Sequence, residues 1–381
     1  MLKDVQLEII APDALGAEDA RAWEDLRASA GLTHPYFDHR FLRAAAVAPH
    51  AAVGLFRREG RLVGAFPFQK RGRIIQPLGA PLSDYHGVIA ASDSGLDAET
   101  VAGLLGGRLR FNGWMSAAGG TGLVHRERMG TDVSGGAAAL NARLDEINHK
   151  FLKNLRRQRR GFDREYGEGR LVWDDRDPSV LDWIIDLKRQ QYRRTGRHDV
   201  FACGWTGELL RRLWEMRAAD PSYGLRIASL RTATGELAAA EASLDDGRTL
   251  HLWFPTYDPA FGRYGPGMLL TWMEMEAAAN AGYAVVDFGC GEEGYKSTLA
   301  ASLGTVLEGE AGDASPGLLP SAVRWAGRVG PEPLRRLGMS VGRRMDIINA
   351  CETRPDRWWA GAAQAALAAA RKSTKTAGAA A

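Results

Sequence analysis

Ionisable side chains able to do acid/base work, Asp287, Glu292, Tyr295 and Lys296 among them, crowd into the stretch Asp287-Phe288-Gly289-Cys290-Gly291-Glu292-Glu293-Gly294-Tyr295-Lys296. Carboxylates, a phenol and an amine in one glycine-punctuated loop can take a proton from an attacking amine or hydroxyl, protonate a leaving group and stabilise an oxyanion. Upstream, Gly265-Pro266-Gly267 precedes Met268-Leu269-Leu270. A glycine turn opening a helix aims backbone N–H groups at an anion, and proline at the first helical position costs no hydrogen bond. Arg263 adds a cation suited to a charge-assisted bond with phosphate. The expected chemistry is that of an enzyme holding a phosphate-bearing donor at Arg263, Gly265, Gly267 and Met268, beside acid/base groups.

These residues need elements to position them. The pattern predicts a helix over 268–281, a strand over 284–288 and a short helix over 297–302. Before them, 225–230, 237–244 and 249–254 read as three successive strands, with Asp245-Asp246-Gly247-Arg248 as a hairpin turn. Glu241 and His251 fall on these strands and are alternatives for the acid/base role or for contacting the acceptor. Two helices, 180–194 and 205–218, come earlier still. The first part of the chain has a similar outline. A strand at 5–10 and a helix at 17–30 lead to strands at 51–56 and 62–68, joined by a glycine-containing turn, and then to a further strand at 74–78. A polar loop follows, with Asp84 and Tyr85 as acceptor-site candidates, then a helix at 98–105 and a strand at 111–116. The working architecture is two related α/β modules in tandem, joined near 136–144.

The whole chain sets bounds. Its 381 residues suggest about two domains, and 45% hydrophobic with 25% charged residues is an ordinary globular composition. A net charge of +3 says little about partners. The three cysteines are far apart and form no CxxC pair, which argues against a disulfide scaffold or a zinc knuckle and fits a cytoplasmic protein. No metal is expected. No apolar run is long enough to span a membrane. Beyond Gly312, prolines break short Arg- and Trp-bearing helical pieces, and the alanine-rich end reads as a helix fraying into disorder. That tail either packs on the rest of the protein or lies on an anionic membrane surface.

The helix predicted over 139–166 becomes strongly basic, with Lys150, Lys153, Arg156, Arg157, Arg159, Arg160 and Arg164. It reads as a solvated face, a phosphate-binding face including Arg156 and Arg160, or a nucleic-acid patch. Small-molecule phosphate is favoured, because aromatics do not interleave with the cations.

This helix, followed by Tyr257-Asp258-Pro259, then Tyr264-Gly265-Pro266-Gly267, then Asp287-Phe288-Gly289 to Tyr295-Lys296, resembles the CelD/BcsL-type acetyltransferases of the GNAT superfamily, a group linked to cellulose biosynthesis. The resemblance covers roughly 139–312, and the Ser83-Asp84-Tyr85-His86 loop is also similar. It is related to the Fem-type aminoacyl transferases. In GNAT loops a Gln or Arg stands three residues before the first glycine, whereas here that position is Gly262, with Arg263 next. The resemblance implies two GNAT-like modules, 1–138 and 139–312, with mixed, mainly antiparallel sheets flanked by helices, and a tail over 313–381. It implies acetyl-coenzyme A as donor and a sugar or polysaccharide precursor as acceptor. An aminoacyl-tRNA donor with a cell-wall acceptor, or a non-catalytic scaffold in a polysaccharide synthesis complex, are the alternatives.

Overall fold

The structure is a computed structural model that describes residues 4–117, 119–291, 296–312, 332–352 and 354–363. It is a mixed α/β protein in which largely antiparallel sheet is flanked by helices. The same sequence of elements occurs twice. The first cycle runs β1 (Val5–Ile10), α1 (Ala17–Ser29), α2 (His39–Ala45), β2 (Ala51–Arg58), β3 (Arg61–Arg71), β4 (Ile74–Pro77), the two-residue β5 (Ile89–Ala90), α3 (Ala98–Leu104) and β6 (Arg108–Trp114). The second runs β8 (Arg170–Val172), α5 (Pro178–Thr195), α6 (Trp205–Ala219), β9 (Gly224–Arg231), β10 (Leu237–Asp245), β11 (Thr249–Tyr257), α7 (Pro266–Asn280) and β12 (Val285–Cys290). Between them lie β7 (Thr121–Asp132) and α4 (Gly136–Tyr166). After them come α8 (Lys296–Leu299), β13 (Ala301–Ala311) and α9 (Glu332–Cys351).

The strand pairing repeats as well. The first cycle is ordered β1-β2-β3-β4-β6, antiparallel except for the parallel pair β4–β6 (Ile74↔Arg108, Ile75↔Leu109). The second is ordered β8-β9-β10-β11-β12, antiparallel except for the parallel pair β11–β12. A crossover helix, α3 or α7, makes each parallel pairing possible, since a tight hairpin joins only antiparallel strands.

The described residues of Met1–Val124, Arg189–Leu209 and Leu307–Ala381 form one compact unit, and those of His125–Lys188 and Leu210–Val306 form the other. Each unit takes strand residues from beyond its own cycle. The end of β13 pairs antiparallel with β6 in the first unit (Leu307↔Trp114, Ala311↔Leu109). The end of β7 pairs antiparallel with β12 in the second (Val285↔Asp132, Asp287↔Gly130). The sequence division at 138 follows the cycles of elements, whereas the units follow the packing.

Local chemistry explains the turns. Glu59 and Gly60 both have positive φ (50° and 78°), as the tight β2–β3 hairpin with Arg58↔Arg61 in register requires. At the β10–β11 hairpin, Asp245 Oδ1 accepts from Gly247 N at 2.7 Å and Asp246 Oδ1 accepts from Thr249 N at 2.7 Å. The first unit packs Phe56, Phe66, Ile75, Val101, Leu109 and Trp114 into its core. The second packs α4 and α7 on its strands through Leu140, Leu152, Leu250, Met275, Val286 and Phe288. Among the described residues no helix is long and apolar enough to cross a membrane.

Candidate active site

The parallel pair β11–β12 frames the candidate site. Its register, Thr249↔Val285, Leu250↔Val286 and His251↔Asp287, stops at the last pair although β11 continues to Tyr257 and β12 to Cys290. The strands therefore part just after His251 and Asp287. The two side chains meet at that point, with His251 Nδ1 3.0 Å from Asp287 Oδ1. Asp287 Oδ1 also accepts from Gly289 N at 2.7 Å, and Arg128 Nε lies 3.7 Å from Oδ2. Gly289 supplies the positive φ (76°) at the irregularity between Asp287 and Cys290 that lets its amide turn back onto the carboxylate. A carboxylate facing Nδ1 fixes the tautomer in which Nε2 holds the lone pair. The arrangement is that of a base and its orienting acid.

A second irregularity lies on the other edge of β11. Ala242 faces Phe254 and Ser243 faces Leu252, which leaves Trp253 as the extra residue of a bulge. Its N–H donates to Glu241 Oε1 at 3.0 Å. Glu241 is fully buried, and its carboxyl is pushed up to about 8, mainly by desolvation and against the pull of Lys188. Glu274, on the buried side of α7, is raised well above the usual carboxylate range by desolvation and by the neighbouring charge of Glu241. Glu241 is apparent in the sequence as a strand carboxylate; Glu274 and the buried Lys188 are not. The signal for Glu274 was its place between Leu270 and Ala278 at four-residue spacing, a core position where a charged residue is unusual.

A glycine turn opens α7. Gly265 is left-handed (φ 58°, ψ 53°) at the N-cap of α7, no side chain caps the helix, and Pro266 stands in its first turn. The amides of Gly267 and Met268 are thus among the uncapped donors of the first turn. A Cβ at Gly265 would sit 3.4 Å from Gln158 Nε2 of α4, and one at Gly267 would sit 3.4 Å from Tyr257 Cδ1. Met268 is half-buried and packs into the core rather than facing a ligand with its side chain. Arg263 is 77% exposed and pairs with Glu165 at 3.4 Å, which also accepts a hydrogen bond from Tyr264.

The basic helix α4 is broken at Asn148 (φ −155°, ψ 76°), whose Oδ1 accepts from Phe151 N at 3.0 Å and so caps the segment that follows. Leu152, Leu155 and Phe162 anchor that segment. Lys150, Lys153, Arg156, Arg157, Arg160 and Arg164 are exposed. Arg159 instead pairs with Asp163 at 2.9 Å. Lys296, expected to steady an oxyanion or a phosphate, is buried at the start of α8, its Nζ 3.4 Å from the Cys290 carbonyl. Glu292 and Tyr295 lie outside the described residues. In the first unit, Tyr85 is buried in an edge-to-face contact with His34 (centroids 4.5 Å apart), and Asp84 is half-buried.

The structure thus brings Asp287 and His251 together and sets Glu241 against the bulge of the same strand. It places Arg263, Arg156 and Arg160 on exposed surface of the same unit, and Asp84 and Tyr85 in the other unit.

Residues 149–297 match the acetyltransferase (GNAT) domain family. The match begins where the capped basic segment of α4 begins and ends in α8. No curated protein matches the chain. Among solved structures the chain is similar to a tandem GNAT protein from the clavulanic acid biosynthesis pathway, at 12% identity over 82% of this chain and 99% of that one, with a TM-score of 0.49. It is also similar to the C-terminal domain of a putative lysylphosphatidylglycerol synthetase from Agrobacterium fabrum (13% identity, 77% and 92% covered, TM-score 0.46). FemX is a third (12% identity, 69% and 88% covered, TM-score 0.44). The match over 149–297, less than half of the chain, supports an acyltransferase with a domain similar to the GNAT acetyltransferases.

Proposed function

We propose that the protein transfers an acetyl group from acetyl-coenzyme A directly to an amine or hydroxyl of a sugar or polysaccharide precursor. The observation that carries this reading is the pairing, within the matched domain, of an uncapped glycine helix start at α7 with the buried His251–Asp287 dyad where β11 and β12 part. The turn fits a donor rich in phosphate: Gly265 and Gly267 keep side chains away from the α7 amides, and exposed cations lie on α4, next to the turn through Gln158. The donor supplies an acyl group activated as a thioester.

The chain's own residues then have distinct tasks. Gly267 and Met268 amides hold phosphate oxygens, with Arg263, Arg156 or Arg160 adding charge. Asp287 is engaged by both His251 and Gly289, so it orients the imidazole, and His251 takes the acceptor proton at Nε2. Glu241 is kept protonated by burial and holds the β11 bulge in shape through Trp253. Glu292 and Tyr295, assigned by sequence position alone, serve as a further base and as proton donor to the departing sulfur. Lys296 fixes the end of β12, and Asp84 and Tyr85 remain acceptor-side candidates. The resemblance to the CelD/BcsL group supports the choice of acceptor class.

Isothermal titration with acetyl-coenzyme A tests the donor. Micromolar binding is expected, and it should be lost in Gly267→Glu. A well-folded wild type that binds none sinks the reading.

A second reading, transfer from an aminoacyl-tRNA to a cell-wall precursor, is favoured by one feature. Lys150, Lys153, Arg157, Arg160 and Arg164 follow one another at three-to-four spacing and are all exposed. It requires tRNA binding that weakens steeply with salt and with removal of these cations.

A further inference from the structure

Two cysteines far apart in sequence meet in the first unit. Cys203 ends the short turn Val200–Cys203, and Cys351 is the last residue of α9. The surrounding contacts hold the two segments together. Trp205 Nε1 lies 3.4 Å from the Cys351 carbonyl, and Arg357 donates to the Ala202 carbonyl at 3.2 Å. His198 Nε2 lies 3.2 Å from Glu352 Oε1. Arg71 reaches across from β3, donating to the carbonyls of Ala350 at 2.9 Å and Glu352 at 2.6 Å. Within this frame the Cys203 thiol donates to the Val200 carbonyl at 3.0 Å, and the Cys203 and Cys351 side chains are near enough to shift each other's ionisation. Cys203 also lies 3.5 Å from Thr206 Oγ1.

The two thiols differ in a way that gives each a role. Cys203 is half-buried, and the neighbouring Cys351 and Thr206 side chains draw it below the usual thiol range. Cys351 is buried and is pushed well above that range, first by desolvation. An accessible, easily ionised thiol beside a protonated partner is the arrangement in which one cysteine is oxidised and the other resolves it.

We propose that Cys203 and Cys351 form a disulfide modification site that ties the end of α9 covalently to the 200–203 turn when the protein meets a hydroperoxide. The Cys203 thiolate attacks one peroxide oxygen; the O–O bond breaks, the other oxygen leaves as hydroxide and takes a proton to become water, and Cys203 becomes a sulfenic acid. Cys351 then attacks that sulfur, its proton leaves with the hydroxyl as a second water, and the S–S bond forms. Two thiols are oxidised and one hydrogen peroxide is reduced to two waters. The bond closes a long loop, which restricts the unfolded chain. Cys290 belongs to the second unit and takes no part.

The experiment treats the full chain with hydrogen peroxide, alkylates the remaining thiols with N-ethylmaleimide, and reads the intact mass and the peptide map. The expected result is one alkylated cysteine, Cys290, of the three present. A peptide linking Cys203 to Cys351 should appear, and dithiothreitol should restore full alkylation. Cys203→Ser and Cys351→Ala should each abolish the link; the first changes a half-buried position and guards against loss of fold in the second. Sulfinic acid on Cys203 with Cys351 still alkylated, or a link that involves Cys290, overturns the proposal. So does a wild type that keeps all three thiols at peroxide concentrations that oxidise a free thiol control.

Discussion

The two cycles of this chain share an element order and a strand pairing but not a chemistry. In the first, the parallel pair β4–β6 carries Ile75 opposite Leu109, and the crossover helix α3 is closed by Asp97, whose carboxylate accepts from Thr100 N at 2.8 Å. In the second, the parallel pair β11–β12 carries His251 opposite Asp287, and the crossover helix α7 is opened by a left-handed glycine with no capping side chain. The helices differ in length too, at 7 and 15 residues, so only α7 is long enough for its dipole to matter to a ligand. On the proposed function, one topology serves once as scaffold and once as site, and two local substitutions in type separate them: apolar pair against His–Asp, capped helix against open helix.

Experiments on this contrast rank by expected effect. Asp287→Asn should lower turnover of acetyl-coenzyme A by roughly a hundredfold or more, the low end of what a general base contributes. It should leave donor affinity intact, because Asp287 orients His251 and does not hold phosphate. An unchanged rate would remove the dyad from the chemistry. Next, Gly267→Glu should weaken donor binding by about a hundredfold, near 2.8 kcal/mol, because it puts a carboxylate where the open helix start faces phosphate. The matched change in the other cycle is Asp97→Ala. It should cost about 1 kcal/mol of stability in denaturant unfolding and leave donor titration untouched. If Asp97→Ala instead altered donor binding, the division into scaffold and site would fail.

The smallest effect concerns Glu241. Its carboxyl rises from 4.5 to about 8 on folding, so the folded state binds more protons than the unfolded state between those values. Stability should therefore be fullest below pH 4.5, so far as this group is concerned, and fall as pH rises towards 8. Glu241→Gln should flatten part of that fall in melting temperature, while the unaltered Glu274 keeps the remainder. A pH dependence identical in the variant would show that Glu241 is not ionising on this scale.

Much of this was legible in the sequence because it is local. The turns at Gly60 and Gly247, the amphipathic α4 with its cations outward, and the glycine start of α7 each follow from residues within a few positions of one another. Asp287 was legible as a strand-end carboxylate. Its pairing with His251 was not: the two residues are far apart in the chain, and only the parallel register of β11 on β12 aligns them. For the same reason Glu241 could be noticed but not understood, since its role depends on a bulge at Trp253 that opposes a neighbouring strand.

Tertiary structure alone decided which strands complete which unit. Nothing in β7 or β13 announces that the end of one joins β12 and the end of the other joins β6. Strand exchange of this kind is set by edges that need pairing, a property of the assembled sheet rather than of any segment. The sequence by itself determined most of the elements, their repeated order and the open helix start, because dihedral preference and hydrophobic period act over a few residues. The dyad, the buried carboxyls and the Cys203–Cys351 pair arose only where long-range packing brought distant residues together and shut out the water that would have kept them apart.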